Sequence, residues 1–429
     1  MTYTFKLARR TARHCLPSAA SAALVLALTL VAGCNSDDPT GPAPIAETLD
    51  QAPGVQAAPD FAAATGQVVI TPGTSIQAKV NASPAGTQFL IKAGTYYNQR
   101  VVPKSGNVFI GEPGAILDGK NSTPYAFEHG NAPFPSNVRI KGLIIQNYAS
   151  PDQQGAISAA GNASQSTTGW VIENCEVRYN KYVGIKLGNK IKLLNNYVHH
   201  NGQIGISGIG DSILVEGNEI AFNNYQKTFG FGKVLGGAKF VSTKGLIVRR
   251  NNVHDNQGNG IWLDIDNIKA LVENNVATKN SGAGIMTEIG YSTVIRNNTA
   301  KGNGYARDWV TGAGILISAT ADVEVYGNTV QDNKQGIVAI QQYRTKNGVN
   351  YSSNLKNLNV HDNTVRVLAG GVTGLASGVG DQPYTSRNNR FVHNTYDVGA
   401  DAKTWTWKSA KRSKREWQSF GNDVNGVFN

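Results

Sequence analysis

The chain has 429 residues, with Gly 48, 16 % charged residues and 40 % hydrophobic residues. That apolar share supports a core and excludes a mainly disordered chain, and no apolar run of 18 residues follows the N-terminal region, which excludes a polytopic membrane protein. A formal charge of +11 favours polyanionic partners, while abundant Gly with recurrent Asn points to a repetitive β architecture.

Residues 1–33 read as an export signal: Lys6, Arg9, Arg10 and Arg13 precede an uncharged apolar run from Ala19 to Val31. The run ends in Leu30-Val31-Ala32-Gly33-Cys34, which resembles the lipobox of bacterial lipoproteins. The resemblance implies lipidation of Cys34 and an exported protein anchored to the cell envelope, at the outer membrane or cell surface. Without the four signal cations the charge is +7, and an acidic polysaccharide is a more natural partner outside the cytoplasm than nucleic acid. With Cys15 removed and Cys34 lipidated, Cys175 has no intrachain partner, so the fold is expected to rest on its core without disulfides. Beyond Cys34 the segment to residue 66 reads as a tether, with Pro39, Pro42, Pro44, Pro53 and Pro59 among Ala, Asp and Gly.

Residues 67–400 are dominated by a repeat. Glu173-Asn174-Cys175-Glu176-Val177, Leu194-Asn195-Asn196-Tyr197-Val198 and Glu216-Gly217-Asn218-Glu219-Ile220 are versions of one pattern, continued at Asn251, Asn275, Asn298, Asn328 and Asn363. Successive spacings of 21, 22, 33, 24, 23, 30 and 35 give a base period near 22 with three insertions. A second mark is a recurrent Gly-Ile start, as at Gly184-Ile185, Gly260-Ile261 and Gly284-Ile285. A coil this short has room for three brief strands and buries its apolar face only by stacking on its neighbours, strands about 4.8 Å apart. Asn suits the bends because it tolerates left-handed geometry and its amide can bond to the same amide one rung on. Cys175, at one such position, reads as a small buried residue and not a nucleophile.

Over residues 67–425 the sequence resembles the right-handed parallel β-helix proteins of the pectin-lyase-like superfamily, including the lead-in Ser75-Ile76-Gln77-Ala78-Lys79-Val80, Pro84-Ala85-Gly86-Thr87 and Ala93-Gly94-Thr95-Tyr96. The resemblance implies an all-β solenoid with a short amphipathic helix over its first end. Residues 401–429 read as a C-terminal cap, with Ser413 and Glu416 at capping-box spacing, Gly421 as a stop, and Trp405, Trp407 and Trp417. The basic cluster Lys408, Lys411, Arg412, Lys414 and Arg415 is expected to be its solvated face.

Counting by twos along the strand that begins Gly260-Ile261 turns Ile261, Leu263 and Ile265 inward and Trp262, Asp264 and Asp266 outward. The same count puts Met286 and Glu288 out on the next rung, Lys239 out one coil earlier, and Lys186 out two coils before that. Asp264 and Glu288 then stack roughly 5 Å apart and repel by about 3 kcal/mol, to be relieved by a proton, by Lys239 or by Ca²⁺ held on Asp264, Asp266 and Glu288. The insertions at residues 224–236 and 303–312 precede this strand on their coils, and that at 342–357 follows it, so loops are expected to wall a groove over this face. They carry Tyr225, Phe229, Phe231, Tyr305, Trp309, Tyr343 and Tyr351 with Lys227, Arg307 and Arg344, rings for stacking on sugars and cations for carboxylates. His199, His200 and His254 lie on another strand of the coil and read as a surface ladder.

The expected function is action on a uronic-acid polysaccharide by a monomeric, membrane-anchored protein. Elimination is preferred, with Lys239, Asp264 and Glu288 in the chemistry. Lys186, Trp262, Arg307, Trp309, Tyr343 and Arg344 would hold substrate, and Lys239 or Lys186 would be the base that takes the C5 proton. A non-catalytic glycan-binding or adhesion protein, and a glycoside hydrolase using the same stacked carboxylates, are the alternatives. The Trp-Ile-Asp-His and Arg-x-Pro-x-x-Arg signatures of pectate lyases, the paired-Asp and Gly-His-Gly motifs of polygalacturonases, and the Tyr-Gly-Phe-Asp-Pro-His-Asp motif of mannuronan epimerases do not occur, so no residue's role carries over from those enzymes.

Overall fold

A computed structural model describes residues 67–230, 234–307, 309–343, 345–346, 349–350, 355–398 and 403–429. The signal, Cys34 and the tether lie outside the described residues, as do Phe231, Arg344 and Tyr351. The described residues belong to one compact unit. No described helix is long and apolar enough to cross a membrane.

The described chain winds through three long sheets. Sheets 1 and 2 have 13 strands each and sheet 3 has 12. Neighbours within each sheet are parallel, apart from Ala410–Arg412, which runs antiparallel to Trp405–Trp407. Each coil contributes one strand to each sheet, and residues at one coil position form a column. The central residues of the short sheet 1 strands all point inward, so Ile172, Leu193, Val215, Val248 and Val272 stack at full burial. β-Branched and Leu side chains at these positions fill the narrow interior and supply most of the stability of a fold without long helices.

The bend from sheet 1 to sheet 2 holds the anticipated ladder, and its two jobs fall on consecutive residues. Asn174, Asn195, Asn274 and Asn297 adopt positive φ, while the next residue points in. Asn196 Nδ2 donates to Asn218 Oδ1 at 2.9 Å, Asn218 Nδ2 to Asn251 Oδ1 at 3.0 Å, and the series runs on to Asn394 and Asp423. Cys175 stands at its head, fully buried with its thiol pushed up to about 12 by desolvation, which fits an inert residue. A second ladder, not anticipated, fills the bend from sheet 2 to sheet 3: Asn180, Asn201, Asn223, Asn256, Asn280, Asn303 and Asn333. The residue before each of its first members, Tyr179, His200, Phe222 and Asp255, is the left-handed one.

Both ends are closed as expected. Helix α1, Ile76–Ala82, is capped by Ser75 and buries Ile76 and Val80. The C-terminal helix, Lys414–Ser419, carries the complete Ser413/Glu416 capping box and buries Trp417. The cap is also part of the solenoid, since Trp405–Trp407 extends sheet 3 and Val427–Phe428 extends sheet 2.

Candidate functional site

The outward face of sheet 3 presents a column in which Glu128, Ser158, Lys186, Ser207, Lys239, Trp262 and Met286 occupy successive rungs. The order follows from period-two alternation, with Ile185, Ile206, Ala238, Ile261 and Ile285 beside them turned into the core. All three insertions join this sheet as the spacing predicts: 224–236 and 303–312 before their sheet 3 strands, and 342–357 after Gln335–Gln341.

Lys239 is nearly buried, and its Nζ lies 2.7 Å from Asp264 Oδ2 and 4.0 Å from the centroid of the Trp262 ring. The lysine thus pairs with one of the two carboxylates expected to stack. Asp264 follows Leu263, which pairs with Thr287 in register, and this places it beside Glu288 across one rung. The indole Nε1 of Trp262 is buried with no hydrogen-bond partner among the described residues. A buried donor left in that state costs about 1–3 kcal/mol, and a ligand oxygen would satisfy it.

Lys186 has a different setting. It is 8 % exposed, its Nζ donates to Gly161 O at 2.7 Å, and among the described residues no carboxylate lies within ion-pair distance. Burial alone pulls its amine down to about 8. Desolvation does this by disfavouring the charged form. At about 4.8 Å per rung, Lys186 and Lys239 stand about 10 Å apart with Ser207 between.

Asp266 departs from the expected alternation. The strand ends at Leu263, Asp266 turns at φ 60, and its N–H donates to Ile289 O. Ile265 therefore does not enter the core. Asn267 takes the inward place, fully buried, donating to Phe240 O at 3.0 Å and accepting from Thr243 Oγ1 at 2.6 Å. Among the described residues no three His, Cys, Asp or Glu side chains converge as a metal site.

The loops divide the groove more than they wall it. The 3-10 helix Trp309–Gly312 packs on Ala313–Ser318 and Gln335–Gln341. There the outward residues Leu316, Val338 and Ile340 are buried in a second apolar cluster with Ala283, Ala313, Ala376 and Met286. The polar residues of the column thus run from Glu128 to Trp262 and give way to this apolar cluster at Met286. Arg307 sits in a turn where its N–H donates to Gly304 O, Trp309 contributes backbone to the helix, and Tyr343 is 70 % exposed. Phe229 packs on Tyr182 at 5.9 Å beside the floor. Tyr225, expected in the groove wall, leans outward onto Tyr179 and His200.

Stacked coils of three parallel sheets, with the working residues on one outward column, define a β-helix protein. A family profile described as "Right handed beta helix region" matches residues 155–330 and 269–409, together more than half of the chain, and the chain belongs to that family. No curated protein matches the chain. Among solved structures it is similar to the A-module of mannuronan C-5 epimerase AlgE6 from Azotobacter vinelandii, at 16 % identity and TM-score 0.55 over 86 % of this chain and 97 % of that one. It is also similar to XylC in complex with xylose, at 11 % identity and TM-score 0.58 over 82 % of each chain. The A-module of AlgE4 from the same organism matches at 14 % identity and TM-score 0.51 over 86 % and 96 %. At these identities the likeness is one of fold.

Proposed function

We propose that this is an exported, lipid-anchored protein that binds a uronic-acid polysaccharide along the outward column of sheet 3 and removes the C5 proton of one sugar, with elimination as the outcome. The carrying observation is Lys186: a buried amine on the groove floor, with no carboxylate partner among the described residues and a pKa brought to about 8. Such an amine exists partly as the free base near neutral pH, as a general base needs. Lys239 does not fit that role, because its ammonium is committed to Asp264.

Two rungs separate the lysines, so they serve different sugars of one chain. Lys239 and the orphaned Trp262 N–H hold a neighbouring unit while Lys186 faces the reacting one. In the elimination the C5–H bond breaks toward Lys186 Nζ, the C4=C5 double bond forms and the C4–O bond opens. The proton then passes from Lys186 to the departing oxygen. Glu288 lies four rungs from Lys186, about 19 Å, too far to share its sugar.

The similar structures support a sugar-directed reading: two are mannuronan C-5 epimerase modules, and one holds xylose. The Leu30–Cys34 sequence supports lipid anchoring. The test is an ultraviolet assay of the protein against a panel of uronic-acid polysaccharides, with added Ca²⁺ and with chelator. Wild type should generate the absorbance of an unsaturated uronate, and Lys186→Ala should lose at least about 100-fold. New reducing ends without absorbance would make the protein a hydrolase. C5 inversion without cleavage would make it an epimerase. Undiminished turnover by Lys186→Ala would remove the lysine from the chemistry.

A further inference from the structure

A cluster of rings lies outside the groove, on the bend from sheet 2 to sheet 3. Tyr179, His200 and Phe222 occupy the same turn position on three successive coils, each one residue before its ladder asparagine. His200 stands 5.1 Å from Tyr179 and 5.0 Å from Phe222, stacked on the latter at 25°. Tyr225, from the first insertion, closes the group at 6.1 Å from Tyr179 and 5.4 Å from His200. Tyr179 and Tyr225 remain 42 % and 38 % exposed.

Two observations set these rings apart from ordinary surface. The first is conformational. Tyr179, His200 and Phe222 have φ of 53, 51 and 54, a region costly for bulky side chains and easy for Asn, Asp or Gly. The same position further along is Asp255, Lys279, Gly302 and Asp332, so the turn is made without rings. Strain of about 1–3 kcal/mol per residue concentrates at functional positions.

The second is a chain of polar contacts that fixes the central ring. Glu176 Oε1 lies 3.0 Å from His199 Nε2, and His199 Nδ1 lies 2.8 Å from His200 Nδ1. The His199 bond and the Arg178 charge hold Glu176 below the usual carboxylate range against burial, so it accepts from His199 Nε2–H. His199 Nδ1 and His200 Nδ1 share one hydrogen bond, which fixes the His200 ring and leaves its Nε2 as a polar atom among the three neighbouring rings. Burial and His199 keep His200 below its ordinary pKa. A rigid, mixed face of this kind suits a sugar, with its C–H face against rings and a hydroxyl on the ring nitrogen. It does not suit a purely apolar partner.

The loop that supplies Tyr225 also supplies Phe229, which packs on Tyr182 at the margin of the groove. One insertion thus spans from the groove to the ring cluster. We propose that Tyr179, His200, Phe222 and Tyr225 form a second carbohydrate subsite, a ledge that takes pyranose units of the same polysaccharide where it leaves the groove. The proposal rests on the polysaccharide reading above.

The experiment is affinity electrophoresis of the full chain through gels containing acidic and neutral polysaccharides, comparing wild type with Tyr179→Asn and with Tyr179→Asn/His200→Asn. Asparagine is comfortable at these dihedrals, so thermal melting of the variants should be unchanged or higher, which keeps folding apart from binding. Loss of a stacking platform should weaken binding about tenfold. Equal retardation of wild type and double variant overturns the ledge and leaves the groove reading standing. Ledge-dependent retardation with no product from any polymer upholds the ledge and overturns the catalytic reading. Absence of retardation for wild type across the panel overturns both.

Discussion

Two lysines on one column show how local surroundings assign different work to the same side chain. Lys239 meets Asp264 at 2.7 Å and the Trp262 ring at 4.0 Å, so it is a fixed cation. Lys186 meets a carbonyl oxygen and little water, so burial shifts its balance toward the free amine. A base must be unprotonated, and its proton is lost above its pKa. Turnover should therefore rise with pH and level off above about 8, read as kcat/KM on a uronate polymer between pH 6 and 10. A rate that falls across that window would assign the lysine an ionised role. Sequence alternation put both lysines on the outward face because Ile185 and Ala238 beside them turn into the core. It could not distinguish them, because the partner of Lys186 is a backbone carbonyl and its desolvation comes from other coils.

At the scale of the repeated coil, the asparagine ladders carry the bends. Asn251 is 2 % exposed. Its amide donates to Val215 O, Arg249 O and Asn275 Oδ1, and its own Oδ1 accepts from Asn218 N and Nδ2. Asn251→Ala strands several of these buried groups and should lower stability by about 3 kcal/mol, measured by denaturant unfolding. At the head of the ladder Cys175 Sγ lies 3.3 Å from Glu173 O, and Cys175→Asn should raise the melting temperature by adding one more rung. The first ladder, the three-strand coil, the placement of the insertions and both end helices were legible in the sequence because each repeats a local rule. The second ladder sat in plain view five residues after the first, at Asn201, Asn223 and Asn256. It escaped notice because the first already accounted for the period. Asp266 was misplaced for the opposite reason: the count by twos was carried past Leu263, where Asn267 ends the strand by turning its amide inward. The ledge was hidden because His199 and His200 looked like ladder residues, and only the coil-to-coil contacts reveal their link to Glu176.

For the solenoid as a whole, stability is a sum over neighbouring coils, so damage at an end stays local. Asp423 terminates the first ladder, accepting from Asn394 N and Nδ2 at 2.9 Å, Tyr396 OH at 2.8 Å and Trp417 Nε1 at 3.0 Å. Asp423→Ala should loosen the last coil by about 3 kcal/mol. Hydrogen exchange should accelerate over residues 390–429 and stay slow around Lys186 and Lys239. A uniform acceleration would show that the coils unfold together.

Ser207 carries no charge and occupies the rung between Lys186 and Lys239. Its coil is a spacer: chain length along the sequence is converted into distance along the substrate, one repeat for about 4.8 Å. Excising a single coil would seat the two amines side by side and shorten the reading frame for the sugar chain. Duplicating one would lengthen it. Under the proposed cleavage, product size would follow from how many turns separate its side chains.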